Sequence, residues 1–414
     1  MKTIYLNRLL PLSIICLLCA CQNKTSSISS SSSLSSINSS SIITTSSCSS
    51  SKGSSVVQKV YFELNAQPRG HFSIEQFNYL SNDDCSNTSP YNGNLSKSSP
   101  VPLCLSWECN VEGPYIVSIY KDEGLTDLAV SYETEDNRFD FYNPLFDQTY
   151  YLIVSLKNNE SIKSEPLSFK EDLLVAGPRN LHIQGVENFR DIGGWGFLRN
   201  GQYQPFMKQG MLYRSGRFNE DKTAEVNATI EEEGLYEIKN HLKIKTEIDL
   251  RRTSTNEVGA LTDKSVLGDD VNYYQLPMAY GGNNILTFKG TLSGDSYEYD
   301  NPRMIRNFFA ILADENNYPI NYHCSIGKDR TGCLSYLIEG LLGFNQEMMY
   351  RDYMFTNFAN AGMCKMSDVT SRYGKTLDEY EQGTELQEKV YYYLNQEIGV
   401  TTAELDHIIE ILKA

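Results

Sequence analysis

The feature that most constrains this chain is a run of seven residues between two apolar stretches, Cys324-Ser325-Ile326-Gly327-Lys328-Asp329-Arg330. Residues 318–323 (Tyr-Pro-Ile-Asn-Tyr-His) read as a short buried strand and residues 331–342 as an apolar helix, so the run is the loop between them. A strand, tight loop and helix in that order make an anion site. Loop N–H groups converge on a helix N-terminus whose partial positive charge favours phosphate. Gly327 permits the backbone angles such a loop needs. A cysteine that opens the loop has its thiolate stabilised by the same groups, and thiols in such settings ionise at or below neutral pH, so Cys324 reads as a nucleophile. An arginine six residues later folds back and grips two phosphoryl oxygens with a bidentate fork that lysine cannot reproduce.

The spacing alone is weak, because among ten cysteines a chance Cys-x5-Arg is expected roughly half the time. The longer run, His323 before the cysteine and Arg330-Thr331-Gly332 after it, is far more specific. His-Cys-Ser-Ile-Gly-Lys-Asp-Arg-Thr-Gly resembles the bacterial branch of the cysteine-dependent tyrosine and phosphoinositide phosphatases, whose signature is His-Cys-x5-Arg-Ser/Thr. Other segments fit that branch: Asn188-Phe189-Arg190-Asp191-Ile192-Gly193-Gly194, Leu212-Tyr213-Arg214-Ser215-Gly216, Asp249-Leu250-Arg251 and Asp352-Tyr353. The resemblance implies that Cys324 forms a phosphocysteine, that Arg330 binds the phosphoryl group, and that Thr331 hydrogen-bonds the thiolate. It also implies that His323 orients Cys324 from behind and lowers its pKa, rather than acting as an acid. Ser325, Ile326, Gly327, Lys328 and Arg330 would form the phosphate loop. A phosphorylated protein, a phosphoinositide or an inositol phosphate is the expected substrate.

The proton donor to the leaving group is open. Residues 276–282, where related enzymes carry an aspartate, hold no carboxylate, and the next ones are Asp295, Glu298 and Asp300. Asp329 is therefore the first choice for general acid, against a reading in which it accepts loop N–H groups and steers Arg330. Lys328 either meets a further phosphate or simply neighbours the first. Arg190, Asp191, Arg214, Asp249 and Arg251 read as buried ion pairs or loop supports rather than catalysts. His71, His182, His241 and His407 fall in no ligand spacing. No metal and no cofactor is indicated, since covalent thiolate chemistry needs neither.

Strands near 244–250, 271–276 and 319–323 alternate with helices near 220–233, 302–313, 331–342, 346–358, 384–397 and 402–413. That pattern predicts an α/β catalytic domain over residues 177–414, a central sheet flanked by helices with the loop at the carboxyl end of a strand. Upstream, residues 56–172 carry alternating runs at 57–64, 101–107, 115–120, 129–134, 138–142, 150–156 and 162–169, which predict an all-β sandwich with a long loop at 74–100. Leu145, Thr149 and Tyr151 resemble the tyrosine corner of fibronectin type III domains. No clustered catalytic residues lie there, so it reads as a spacer or interaction module.

The start of the chain supplies an address. Lys2 and Arg8 precede an apolar run, residues 9–20, that is too short to span a bilayer. Leu18-Cys19-Ala20-Cys21 resembles a bacterial lipobox, which implies a signal peptide over 1–20 and a lipidated Cys21 anchoring the chain to the extracytoplasmic face of the membrane. Nineteen of the thirty-one residues from Thr25 to Ser55 are serine, so residues 21–55 read as a disordered tether with a span on the order of 30 Å. Cys85, Cys104 and Cys109 fall in the sandwich, and their connectivity cannot be read from spacing.

With 36 Lys+Arg against 52 Asp+Glu the net charge is -16, which excludes a nucleic-acid partner. Residues 177–330 hold 18 basic and 21 acidic groups, and 331–414 hold 6 and 13, so the acidity concentrates in the C-terminal helices. The expected function is a membrane-tethered phosphatase of the tyrosine or dual-specificity type. An inositol-polyphosphate phosphatase and a catalytically silent surface-binding protein are the alternatives.

Overall fold

The computed structural model describes residues 39–43, 60–67, 69–82, 84–86, 99–199, 202–219, 230–252, 264–280, 284–359 and 364–414. The expected signal peptide, Cys21 and most of the serine-rich tether lie outside them. All described residues belong to one compact unit, residues 37–414.

Nine strands precede the catalytic segment: β1 Ser39–Ile43, β2 Val60–Gln67, β3 Leu103–Cys109, β4 Tyr115–Tyr120, β5 Leu128–Thr134, β6 Arg138–Phe141, β7 Thr149–Leu156, β8 Asn159–Lys163 and β9 Leu167–Lys170. They form two antiparallel sheets, ordered β1-β2-β3-β6 and β5-β4-β7-β8, with β9 also on β7. Strict alternation sends Phe62 and Leu64, Leu103, Leu105 and Trp107, Tyr115, Val117 and Ile119, and Tyr150, Leu152 and Val154 into one buried cluster drawn from both sheets.

Several expectations are corrected here. The serine-rich segment is not without structure throughout, because Ser39–Ile43 pairs with β2, placing Ile42 opposite Tyr61 and Ile43 opposite Val60. Its two β-branched residues suit a strand. The long loop at 74–100 contains a helix, Ile74–Leu80, opened by a capping box in which Ser73 Oγ accepts from Gln76 N–H at 3.3 Å and Ser73 N–H donates to Gln76 Oε1 at 3.0 Å. The run at 162–169 splits into β8 and β9 around Pro166, which has no N–H for a ladder. In the segment that resembles a tyrosine corner the buried tyrosine is Tyr150, whereas Tyr151 is half-buried. Leu145 N–H donates to Tyr150 Oη at 2.9 Å, and Tyr150 is fully buried because it shares the inward face of β7 with Leu152. Cys104 and Cys109 sit near opposite ends of one strand, which keeps them about 16 Å apart and beyond disulfide reach.

The catalytic segment adds β10 Arg179–Asn180, β11 Arg190–Asp191, β12 Gly196–Arg199, β13 Gln202–Pro205, β14 Leu212–Ser215, β15 Thr246–Asp249, β16 Asn272–Gln275, β17 Lys289–Thr291, β18 Glu298–Asp300 and β19 Ile320–His323. Its main sheet runs β10-β11-β14-β19-β15-β16, parallel from β14 through β16. Every residue of β14, β15 and β19 is buried, as expected of strands covered on both faces. The helices Asn301–Leu312, Asp329–Leu341, Gln346–Phe355, Leu386–Tyr393 and Thr402–Leu412 contribute to one apolar cluster with this sheet. Thr401 and Glu404 form the capping box that starts the last of them. Most of the expected helix at 220–233 lies outside the described residues, and the described part of that region is helical over Glu232–Tyr236 and a π turn over Glu237–Leu242. A further helical segment, Met366–Val369 through Lys375–Asp378, escaped the sequence reading because a π turn, Thr370–Gly374, interrupts its periodicity.

Candidate active site

Because β19 is central, its carboxyl end opens between the ends of β14 and β15. There the chain turns through Cys324 and enters the Asp329–Leu341 helix. Gly327 holds φ +69°, and a Cβ on it would lie 2.4 Å from Ser215 O, so only glycine fits the turn. The loop carbonyls are pulled to one side. Ser325 O accepts from Arg217 Nη1 at 2.9 Å and from Arg217 N–H at 3.2 Å. Asn188 Nδ2 donates to Ile326 O at 3.0 Å and Gly327 O at 3.1 Å, and Arg214 Nη2 donates to Gly327 O at 2.8 Å. In a trans peptide the N–H points opposite the carbonyl, so these bonds turn loop N–H groups toward the other side.

The donors are themselves fixed by one carboxylate. Asp352 accepts from Arg190 Nε at 2.8 Å and from Arg214 Nη1, and Arg190 also bonds Asn188 Oδ1. Burial pushes Asp352 up, but Arg190 and Arg214 outweigh it and hold the carboxyl below its usual range. Arg190 and Arg214 are thus the buried loop supports the sequence suggested, and Asp352 is the buried carboxylate that holds them. Asp191 pairs with Arg179 at 2.6 Å and Asp249 with Arg251, also buried.

Cys324 is 2 % exposed. Behind it, His323 Nε2 lies 2.9 Å from Glu247 Oε1 and Nδ1 lies 3.3 Å from the Cys324 carbonyl. Arg330 folds back from the first helical turn and donates Nη1 to Leu250 O at 3.1 Å. Its guanidinium lies 5.1 Å from the ring centre of Tyr280, which Arg252 approaches at 5.0 Å. Thr331 Oγ1 is buried and makes no hydrogen bond among the described residues, so the bond to the thiolate that the resemblance implied is not made in this geometry.

Asp329 is the first residue of the helix that follows the loop. Its Oδ1 accepts from Arg372 Nη1 and, at 3.5 Å, from Tyr353 Oη. Lys328 Nζ lies 3.7 Å from Asp368 Oδ2. Lys328 and Asp329 are therefore each met by a charge on the helical segment the sequence reading missed. Asp300 is committed as an N-cap, accepting from Arg303 N–H at 3.2 Å, and Asp295 accepts from Tyr299 Oη. Glu247, Asp249 and His323 bring possible ligand atoms within 4.8 Å of one another. Glu247 already pairs with His323 and accepts from Ser265 Oγ, and Asp249 accepts from Arg251, so these oxygens are engaged by protein donors.

Glu247, Tyr280 and Arg372 are the residues sequence reasoning missed. Glu247 alone left a signal, since it shares with Asp249 a strand already tied to the site.

Residues 181–414 match the tyrosine phosphatase family. The chain belongs to that family. A hydrolase of phosphorylated substrates follows at that level. No curated protein sequence matches the chain. Several solved structures are similar in part. The core catalytic domain of PP-IP phosphatase SIW14 from S. cerevisiae in complex with citrate shares 16% identity, has a TM-score of 0.28, and covers 50% of this chain and 96% of that one. A Siw14 catalytic core shares 16% identity, has a TM-score of 0.30, and covers 49% and 92%.

Proposed function

We propose that this phosphatase hydrolyses phosphate monoesters, phosphotyrosine or phosphoinositides, through a phosphocysteine at Cys324. The observation that carries the reading is the loop itself: a buried cysteine, carbonyls drawn to one side by Arg214, Arg217 and Asn188, and Arg330 returning from the helix. In the first step the Cys324 thiolate forms a bond to phosphorus as the bond to the leaving oxygen breaks. Arg330 and loop N–H groups hold the phosphoryl oxygens, and Asp329 gives its proton to the leaving oxygen. In the second, water attacks the phosphocysteine, Asp329 takes back a proton, and phosphate leaves with the thiolate restored.

We test this by phosphate release from a phosphotyrosine peptide, phosphatidylinositol phosphates and soluble inositol phosphates. The first two should be hydrolysed, and Cys324→Ser should lower the rate by more than roughly 10³-fold. A clear preference for soluble inositol phosphates would favour the inositol-polyphosphate reading, and equal rates in the variant would sink the nucleophile. Asp329→Asn should remove the alkaline limb of the pH–rate profile; an unchanged limb would place the acid elsewhere.

The two antiparallel sheets and the Tyr150 bond to Leu145 support a fibronectin type III-like sandwich over 56–172 that acts as a spacer or interaction module. For the address, we propose cleavage before Cys21, its lipidation, and attachment at the extracytoplasmic face. Among the described residues no helix is long and apolar enough to cross a membrane. Incorporation of a labelled fatty acid that Cys21→Ala abolishes is the expected result, and labelling that persists would refute the anchor.

A further inference from the structure

Both ring nitrogens of His323 face oxygen acceptors. Nε2 lies 2.9 Å from Glu247 Oε1, while Nδ1 lies 3.3 Å from the Cys324 carbonyl oxygen and 3.9 Å from Asp249 Oδ1. A neutral imidazole has one N–H and one lone pair, so either tautomer would set a lone pair against an oxygen. The imidazolium, with two N–H groups, serves both sides.

The surroundings fit a charged ring. Ser265 Oγ accepts from Leu267 N–H at 3.0 Å and so directs its own proton to Glu247 Oε2, as an ionised carboxylate requires. Asp249 has its own counter-charge in Arg251 and accepts from Tyr273 Oη at 3.1 Å. Phe218 covers the imidazole, with ring centres 5.0 Å apart. Glu247, Asp249 and His323 are all buried. Two carboxylates then balance one guanidinium and one imidazolium, and a neutral His323 would leave a net negative charge without solvent.

We propose that Glu247 is a positioning residue for the reaction: its carboxylate keeps His323 doubly protonated and bonded to the carbonyl of Cys324, and so sustains the thiolate-favouring role that the resemblance already gives His323. This rests on Cys324 being the nucleophile. Glu247 touches no substrate, and its effect is confined to the ionisation and placement of the cysteine.

The test is the pH dependence of Cys324 alkylation by iodoacetamide in the full chain, read by mass spectrometry on the Cys324 peptide so that other cysteines do not contribute. In Glu247→Gln, which keeps the shape and removes the charge, the half-maximal pH should rise by about one unit, and alkylation at mildly acidic pH should slow about tenfold. A low wild-type midpoint that Glu247→Gln leaves unmoved would overturn the role of Glu247 and leave Cys324 as nucleophile. A wild-type Cys324 that is alkylated only in alkaline solution would overturn the nucleophile and this inference with it. Should Glu247→Gln fail to fold, ¹⁵N NMR of histidine-labelled wild type decides: both ring nitrogens of His323 protonated at neutral pH supports the inference, and a single neutral tautomer refutes it.

Discussion

At the residue scale, chemistry fixed identity most tightly where the chain is local. Cys324, Gly327 and Arg330 were legible because a nucleophile, a left-handed turn and a fork must follow one another at set spacing. Arg330 should not tolerate lysine. One ammonium cannot span two phosphoryl oxygens while holding Leu250 O, so Arg330→Lys should cut kcat/KM by roughly 10²–10³-fold with the fold retained. A loss under threefold would contradict the fork. Gly327→Ala forces a Cβ to 2.4 Å from Ser215 O, and the expected outcome is loss of phosphate release together with a lower Tm. Glu247, Tyr280 and Arg372 were not legible in this way, since they reach the site from other elements, and only the fold sets them beside His323, Arg330 and Asp329.

At the element scale, the Asp329–Leu341 helix buries almost every side chain, including Glu339. Burial and the neighbouring Asp352 push Glu339 well up, whereas Asp352 is held down by its two arginines. The signs differ accordingly. Asp352 stabilises the fold above its ordinary range, near pH 3.9, and that contribution is lost on acidification. Glu339 must keep a proton that the unfolded chain releases above about pH 4.3, so it costs stability increasingly as pH rises. Glu339→Gln should therefore raise Tm at neutral pH, by about 2–4 °C for each kcal/mol relieved, with the gain vanishing toward pH 4. An equal shift at both pH values would contradict this assignment. Strand and helix order was readable from alternation, whereas the Met366–Asp378 segment was not, because its helical turns are too short to show a period.

At the scale of the molecule, the β-rich and catalytic segments are tied by buried groups. Arg179 donates Nη1 to Asn143 O and Pro144 O, each at 3.0 Å, and Glu237 accepts from Asn143 Nδ2 at 2.7 Å and from Tyr132 Oη at 2.5 Å. Phe72, Tyr79, Leu80 and Phe146 lie in the same apolar cluster as the catalytic core. Sequence patterning placed a boundary near 172–177, but patterning reports which face of an element is apolar and not which neighbour covers it. The described segments should therefore melt together in calorimetry, and residues 177–414 alone should be less stable than the full chain; two well-separated transitions would contradict the shared core. The net charge of -16 offers no long-range attraction for an anionic substrate, which leaves capture to Arg330 and the loop N–H groups. The most direct measurement is rapid acid quench of the full chain during turnover of an aryl phosphate, followed by mass spectrometry of the Cys324 peptide. One added phosphate on Cys324, absent from Cys324→Ser, is the predicted result; phosphate release by wild type and Cys324→Ser at equal rates, with no phosphocysteine, would contradict it.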